Sequence, residues 1–97
     1  MANQIRMTPE TMRTRSREAN TQAEAMQNLI NTMDRLLSTL QSEWEGDAMM
    51  GYTERYNKIK PSFVNAKDLL DEISHNLRES ARILEETDQN IGKQFRK

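Results

Sequence analysis

The fold is decided by residues 36–56, which read LLSTLQSEWEGDAMMGYTERY. On both sides of Glu45-Gly46, apolar residues recur at intervals of three and four, which is the spacing of one face of an α-helix. A glycine between two such patterns suits a tight turn. The whole chain has only three glycines and two prolines, too few for a sheet protein with many turns. The sequence therefore predicts an all-α chain of two helices.

Helix 1 is predicted over about residues 9–43. Its start is indicated by Thr8-Pro9, since threonine is a common N-cap and proline fits the first helical position. Small and apolar residues then alternate at intervals of four and three: Met12, Ser16, Ala19, Ala23, Met26, Ile30, Met33, Leu37, Leu40 and Trp44. Leu29 and Leu36 widen this stripe, as expected for a bundle helix with more than one neighbour.

Helix 2 is predicted over about residues 48–94, after a turn at 44–46, with Asp47 as its N-cap. It repeats the three-four spacing: Met49, Tyr52, Tyr56, Ile59, Phe63, Ala66, Leu70, Ile73, Leu77, Ser80, Leu84, Thr87 and Ile91. Pro61 lies off this stripe, and its missing N–H and bulky ring predict a kink near that residue rather than an end.

The two helices are expected to form one antiparallel hairpin domain spanning residues 1–97. A lone hairpin leaves much of its apolar stripe in water, so association into an elongated four-helix bundle is expected. A homodimer is the simplest solution under twofold symmetry, with a heterodimer or a larger helical assembly left open. Core or dimer packing is predicted for Met26, Ile30, Met33, Leu37, Leu40, Tyr56, Ile59, Phe63, Leu70, Ile73 and Leu77.

The end of helix 2 is expected to extend beyond helix 1. If the helices meet at the turn, residue i faces about residue 92 minus i, so the chain after Leu84 has little of helix 1 to pack on. Leu84, Ile91 and Phe95 nevertheless continue the apolar spacing, with Asp88 among them. Apolar residues at an unpaired helix end usually mark a contact site, which is predicted here over residues 84–97.

The composition gives no support for catalysis. The chain has no cysteine, which removes disulfides, thiolate metal sites and cysteine nucleophiles. Adjacent acids such as Asp71-Glu72 diverge by about 100° on a helix and cannot act as an acid/base pair. No glycine-rich phosphate loop or nucleophile elbow occurs in the sequence. The prediction is a protein that is not an enzyme and has no cofactor.

Metal and nucleic-acid binding are not expected either. His75 is the single histidine, with no cysteine to join it on a metal, so it is predicted to be a solvated surface residue. Arg13, Arg15 and Arg17 are spaced by two, which spreads them around a helix. With a formal net charge of -1, the chain has no overall attraction to nucleic acid. The seven methionines fall largely on the stripes and are interpreted as core residues.

The central tripeptide and the C-terminal residues together resemble a known family. Trp44-Glu45-Gly46, in the middle of about one hundred residues that are otherwise two helices, is similar to the WXG family of early-secreted-antigen (ESAT-like) proteins, the substrates of type VII secretion systems. Leu84, Asp88, Ile91 and Phe95 resemble the family's C-terminal pattern. The best-known form of that pattern has a tyrosine where this chain has Leu84. The resemblance covers essentially the whole chain.

The resemblance implies a protein made in the cytoplasm and exported, to the extracellular space or cell surface, as a folded helical dimer without a cleaved signal peptide. The implied partners are a second copy or a related WXG-type protein, and a membrane ATPase of the secretion apparatus. It also implies that the turn of one protomer, with Trp44 and Gly46, and the tail of the other form one composite signal. After export the protein would act by protein–protein interaction, as an effector, chaperone or co-secreted partner.

Two other hypotheses remain open from the sequence. The chain could be a coiled-coil adaptor that stays in the cytoplasm, which cell fractionation would distinguish. It could also be a membrane-active helical protein, although its high charge and lack of a basic amphipathic face give membrane contact no support.

Overall fold

Two long antiparallel helices, joined by a short turn, make up the hairpin. The computed structural model describes the backbone of residues 7–95 and the side chains of residues 7–87. Helix α1 spans Pro9–Glu43 and helix α2 spans Asp47–Phe95. The described residues contain no strand, and the predicted all-α hairpin is confirmed. None of the described helices combines the length and apolar character needed to cross a membrane.

The hairpin is a single layer of helices. Its Cα atoms extend over 77 × 27 × 13 Å, and their radius of gyration is 21.6 Å. A compact chain of this length would have a radius of gyration of about 12.5 Å. Each helix therefore packs on one neighbour, and the broad faces of the hairpin are left uncovered within the chain.

Helix α1 begins with a side-chain cap. Thr8 has an extended backbone (φ -76°, ψ 160°), and its Oγ1 accepts a hydrogen bond of 3.1 Å from the backbone N–H of Thr11. Pro9 occupies the first helical position, where its missing N–H costs nothing because that donor would have no partner in the helix.

Helix α2 begins one residue earlier than the N-cap prediction for Asp47 requires. The carbonyl of Gly46 accepts from the N–H of Met50 at 3.4 Å, so Asp47 is the first helical residue and not the cap. Its carboxylate lies in the first turn, where the helix dipole favours negative charge. The helix continues through Pro61, and the kink expected there stays a prediction.

Hydrogen bonds across the hairpin set the register of the two helices. Ser16 Oγ donates to the Ser74 carbonyl at 2.8 Å, and Ser74 Oγ donates to the Ser16 carbonyl at 3.0 Å. Nearer the turn, Lys60 Nζ donates to Asp34 Oδ2 at 2.9 Å. These pairs confirm the predicted pairing of residue i with about 92 minus i.

The side of α2 that packs on α1 differs in part from the predicted stripe. We call this side the hairpin seam of α2. Its residues alternate at intervals of four and three and are all buried or half-buried: Met49, Thr53, Tyr56, Lys60, Phe63, Lys67, Leu70, Ser74, Leu77, Ala81 and Leu84. The predicted stripe shares every seventh residue with this seam, but its other members lie on the opposite flank. Tyr52, Ile59 and Ile73 there are 49%, 45% and 40% exposed.

The difference has a simple cause. Ser16, Ala19 and Ala23 of α1 are small and buried, so the helices approach closely, and the facing positions of α2 are best filled by small residues such as Ser74 and Ala81. The apolar stripe of α2 is wider than one partner helix can cover. Its bulky flank therefore lies outside the seam. Ile59 and Ile73 are therefore not core residues of the hairpin, and their place in a dimer interface stays a prediction.

The remaining residues predicted to pack lie at intermediate depth or deeper. Ile30 and Tyr56 are buried. The others are half-buried, namely Met26, Met33, Leu37, Leu40, Phe63, Leu70 and Leu77. Partial exposure of so many large apolar side chains follows from the single-layer architecture.

Candidate functional site

The tip of the hairpin is a tight turn with a defined backbone. Trp44 caps the end of α1, because its N–H donates to the Leu40 carbonyl at 2.7 Å while its own backbone is extended. Gly46 has a φ of 143°, a value that L side chains rarely adopt. A Cβ built on Gly46 would have no heavy atom within 4 Å. The conformation of the backbone, and not a lack of space, therefore explains the glycine.

The turn presents the indole of Trp44 to solvent beside a second aromatic ring. Trp44 is 44% exposed. The ring centroids of Trp44 and Tyr52 are 5.9 Å apart, with 53° between the ring planes, which is within the range of favourable aromatic pairs. Tyr52 lies on the exposed flank of α2, so the pair spans the turn on one face of the hairpin.

That face carries an apolar groove between the helices, which we call the tip groove. It has a volume of about 460 Å³ and is lined by Met33, Leu37, Leu40, Trp44, Tyr52, Arg55, Tyr56, Ile59 and Phe63. Leu29 and Leu36, both about half exposed, lie three or four residues from Met33 and so extend the same face of α1. Arg55 is the single charged residue in the lining.

The opposite face of the hairpin is polar. A smaller cavity there, of about 230 Å³, is lined mainly by polar side chains: Asp34, Leu37, Ser38, Gln41, Thr53, Tyr56 and Asn57. Gln41 Nε2 donates to Thr53 Oγ1 at 3.0 Å, which joins the helices on this face. Near the tip, therefore, the surface around Asn57 is polar, whereas the tip groove is apolar.

Tyr56 crosses between these two faces. Its ring lines the tip groove, while its hydroxyl donates to Asp34 Oδ1 at 2.7 Å on the polar face. Burial, together with the hydrogen bond to the Asp34 carboxylate, raises the pKa of Tyr56 to about 12. Hydrogen bonds from Tyr56 and Lys60 lower the pKa of Asp34. The network fixes the ring of Tyr56 as part of the floor of the groove.

A second cavity lies at the very end of the hairpin, with a volume of about 620 Å³. Its lining is Gln41, Trp44, Glu45, Gly46, Asp47, Met49, Met50, Thr53 and Glu54. Trp44 belongs to both this tip cavity and the tip groove and is the residue that their linings share. Met50 is the most exposed of the large apolar residues at the tip.

The predicted tail residues lie at the other end of the molecule. Leu84 is half-buried on the hairpin seam, and Arg13 forms an ion pair with its neighbour Glu85. With 49 residues against 35, α2 continues beyond the start of α1. The side chains of Asp88, Ile91 and Phe95 lie outside the described residues. Within one chain, therefore, the structure does not bring Trp44 and the tail together, because they are at opposite ends of a 77 Å rod.

The histidine and the clustered arginines do not form a binding site. Among the residues described, no group of three or more His, Asp or Glu side chains could hold a metal ion, and His75 is exposed. Arg15 pairs with Glu18 at 2.6 Å, whereas Arg17 donates to Thr14 Oγ1 at 3.2 Å. The neighbouring arginines thus bind separate partners along α1.

Sequence reasoning missed one feature of the tip and one of the hairpin seam. It placed Tyr52 on the packing stripe, where the structure instead pairs it with Trp44 at the exposed tip. It also overlooked Ser74, although the small residues at 16, 19 and 23 were a signal that α2 needs a small residue opposite them.

Comparisons with known proteins agree with this architecture. The family described as proteins of 100 residues with WXG matches residues 4–89. Protein YukE of Bacillus subtilis (strain 168) is 35% identical over 96 residues, covering 99% of both chains. Type VII secretion system extracellular protein A of Staphylococcus aureus (strain USA300) is 25% identical over 91 residues, covering 94% of both chains.

A solved structure has the same fold. The crystal structure described as Geobacillus thermodenitrificans EsxA crystal form I superposes with a TM-score of 0.87 at 40% sequence identity. The match covers 94% of this chain and 98% of that one. The similarity therefore extends along nearly the whole hairpin.

Proposed function

Because the chain belongs to the WXG100 family, we propose that it is exported by a type VII secretion system as a helical homodimer whose tip and tail form the export signal. The family and the relatives named for type VII secretion support the role of a secretion substrate. What the protein does after export, as an effector, a chaperone or a co-secreted partner, would follow from the surface that the dimer presents.

The observation that carries the proposal is the half-exposed apolar face on a single-layer hairpin. The hairpin is only 13 Å thick between Cα atoms, and the tip groove runs along one face with Leu29, Leu36, Trp44 and Ile59 about half exposed. A stable interface buries about 800 Å² on each partner. A second copy laid on this face would bury Leu29, Leu36 and Ile59 and give a four-helix bundle.

An antiparallel dimer also explains how tip and tail act together. Within one chain they are at opposite ends, but twofold pairing of antiparallel rods brings the tip of one protomer to the tail of the other. Trp44 lies at the tip end of the groove and is 44% exposed in the single chain, and α2 extends past the start of α1. The membrane ATPase of the secretion system would bind this composite surface, with Trp44 and Gly46 from one chain and Leu84, Asp88, Ile91 and Phe95 from the other.

Export can be tested with two variants and their mixture. One is Trp44→Ala, which removes the indole from the tip. The other is a chain ending at Thr87, which lacks the last ten residues but keeps Leu84 and the Arg13–Glu85 ion pair. Each alone is expected to fold and to remain in the cell. Co-expressed, they form mixed dimers in which one intact tip meets one intact tail, so export is expected to return.

The mixture separates the proposal from its alternatives. If the signal lay within a single chain, both chains of the mixed dimer would be defective and export would stay absent. Export of the shortened chain on its own would contradict a role for the tail. Light scattering provides the control for assembly, since a homodimer has a mass near 23 kDa, twice the 11.4 kDa of the chain.

A further inference from the structure

We propose that Tyr52 is the positioning residue of the export signal, holding the indole of Trp44 between the tip groove and the tip cavity. The inference rests on the proposed role of Trp44 in export. It concerns a residue that contacts Trp44 and acts through it. The motif itself contains only Trp44, Glu45 and Gly46, and Tyr52 lies six residues further along the chain.

The first step is that Trp44 has little support from its own helix. It is the C-cap of α1, with an extended backbone, and the chain leaves the helix at this residue. The next two residues form the turn, where Gly46 has a φ of 143°. A side chain at such a position has more rotamer freedom than one inside a helix, so its direction depends on what it contacts.

The second step is that Tyr52 contacts the indole from the groove side. The ring centroids are 5.9 Å apart. Tyr52 lines the tip groove but not the tip cavity, whereas Trp44 lines both. If the tyrosine ring were absent, the indole would be free to turn into the groove, and it would no longer lie between the two cavities.

The third step is that Tyr52 is not needed for the packing of α1 on α2. It lies on the flank of α2 outside the hairpin seam and is 49% exposed. The neighbouring position on the seam is taken by Thr53, which accepts a hydrogen bond from Gln41. A residue of this exposure contributes little to the hairpin core. Its aromatic ring, rather than its hydroxyl, makes the contact with Trp44.

The experiment compares Tyr52→Ala, Tyr52→Phe and Val64→Ala. The first removes the ring and the second keeps it. Val64→Ala is a matched control, since Val64 is also an exposed apolar residue of α2 but lines a different surface notch, beside Pro61. Trp44 is the only tryptophan in the chain, so its fluorescence emission and acrylamide quenching report on this one indole in the purified dimer.

We expect Tyr52→Ala to change the emission maximum of Trp44 and its quenching, and to reduce export about three- to tenfold, as expected from the strength of an aromatic pair. Tyr52→Phe and Val64→Ala should both keep the wild-type fluorescence and the wild-type level of export. Circular dichroism and light scattering should give wild-type helix content and dimer mass for every variant.

Three results would overturn the inference. Unchanged emission in Tyr52→Ala would mean that the ring does not position the indole. Changed emission with full export would mean that the position of the indole does not matter. Loss of the dimer mass in Tyr52→Ala would assign the residue to the dimer interface instead. Trp44→Ala provides the separate test of the premise, because normal export of that variant contradicts the proposed function itself, whatever Tyr52 does.

Discussion

Away from the turn, α1 and α2 meet through small side chains, of which Ser16 and Ala81 are fully buried. We call this the open half, residues 9–28 and 64–87. In the tip half, residues 29–63, bulky apolar side chains of both helices remain about half exposed, among them Leu36, Trp44, Tyr52 and Ile59. In the open half, the exposed bulky side chains, such as Leu69 and Ile83, lie on α2 alone. Small residues let two helices cover each other, whereas bulky residues hold a groove open between them.

The comparison indicates that the two halves of the hairpin have different roles. The open half is held by contacts within the chain, including the reciprocal hydrogen bonds of Ser16 and Ser74. The tip half is also joined by hydrogen bonds, from Tyr56 and Lys60 to Asp34, but it retains apolar surface on both helices that a second chain would cover. Substitutions in the open half should therefore change the stability of the hairpin, and substitutions in the tip half should change its association.

The largest effect is expected from a charge placed in the tip groove. Ile59→Asp would bury an unpaired carboxylate in the proposed dimer interface, at a cost of several kcal/mol per protomer. The mass measured by light scattering should fall from about twice the chain mass to the chain mass of 11.4 kDa. Asn57→Asp adds the same charge on the polar face and should leave the dimer intact; dissociation of both variants would contradict the assignment of the faces.

A smaller effect is expected from overpacking the open half. Ala23 is buried, so Ala23→Leu should force the helices apart and cost about 1 to 3 kcal/mol of unfolding free energy. Ala25 is exposed on the same helix, and Ala25→Leu should change stability by less than about 0.5 kcal/mol. Urea unfolding at one fixed protein concentration measures both, and equal losses would show that the open half is not closely packed.

The turn between the helices offers a pair of substitutions with opposite signs. Gly46→Ala should destabilise the hairpin by about 1 to 2 kcal/mol, because its φ of 143° is unfavourable for a residue with a Cβ. Gly51→Ala, within α2, should stabilise by about 0.5 to 1 kcal/mol, since alanine favours the helix. Both sites have open space for a Cβ, so the change in stability measured by thermal unfolding reports on backbone conformation and not on steric clashes. A loss at both positions would contradict this explanation of Gly46.

A smaller effect on stability, seen only at alkaline pH, is expected from Tyr56, which joins the two faces in the tip half. Its pKa is raised from 10.0 to about 12 in the folded chain. In the unfolded chain the phenol ionises first, so its contribution is fully present below pH 10 and is lost as the pH rises towards 12. Wild-type protein should lose stability over this range more steeply than Tyr56→Phe, as followed by alkaline unfolding. Parallel curves would show that ionisation of Tyr56 does not cause the loss.

The same hydrogen-bond network predicts a loss of stability at acid pH. The pKa of Asp34 is lowered by hydrogen bonds from Tyr56 and Lys60, so its contribution is present above about pH 4 and disappears as the pH falls through its folded value. Asp34→Asn should therefore flatten the acid side of the stability profile. Asp34 is exposed, and the effect should be small and sensitive to salt.

Much of the fold followed from local rules that act within a few residues. The three-four spacing, the scarcity of glycine and proline and the Trp44-Glu45-Gly46 turn predicted two antiparallel helices, and Thr8-Pro9 marked the start of the first. Chain geometry alone then gave the pairing of residue i with about 92 minus i. These features depend on helical period and on single-residue backbone preferences, which can be read without knowing what lies across the hairpin.

Which flank of a wide stripe turns inward was decided only by the tertiary structure. In α2 the stripe around Tyr56 and Phe63 has Tyr52 and Ile59 on one side and Thr53 and Lys60 on the other, and hydrophobicity alone favoured the first pair. Close approach at Ser16 and Ser74, together with the bonds of Tyr56 and Lys60 to Asp34, rotates α2 so that the more polar flank faces α1. Helix rotation depends on fitting two surfaces together, so one helix's sequence cannot fix it, and the aromatic pair at the tip is a result of that fit.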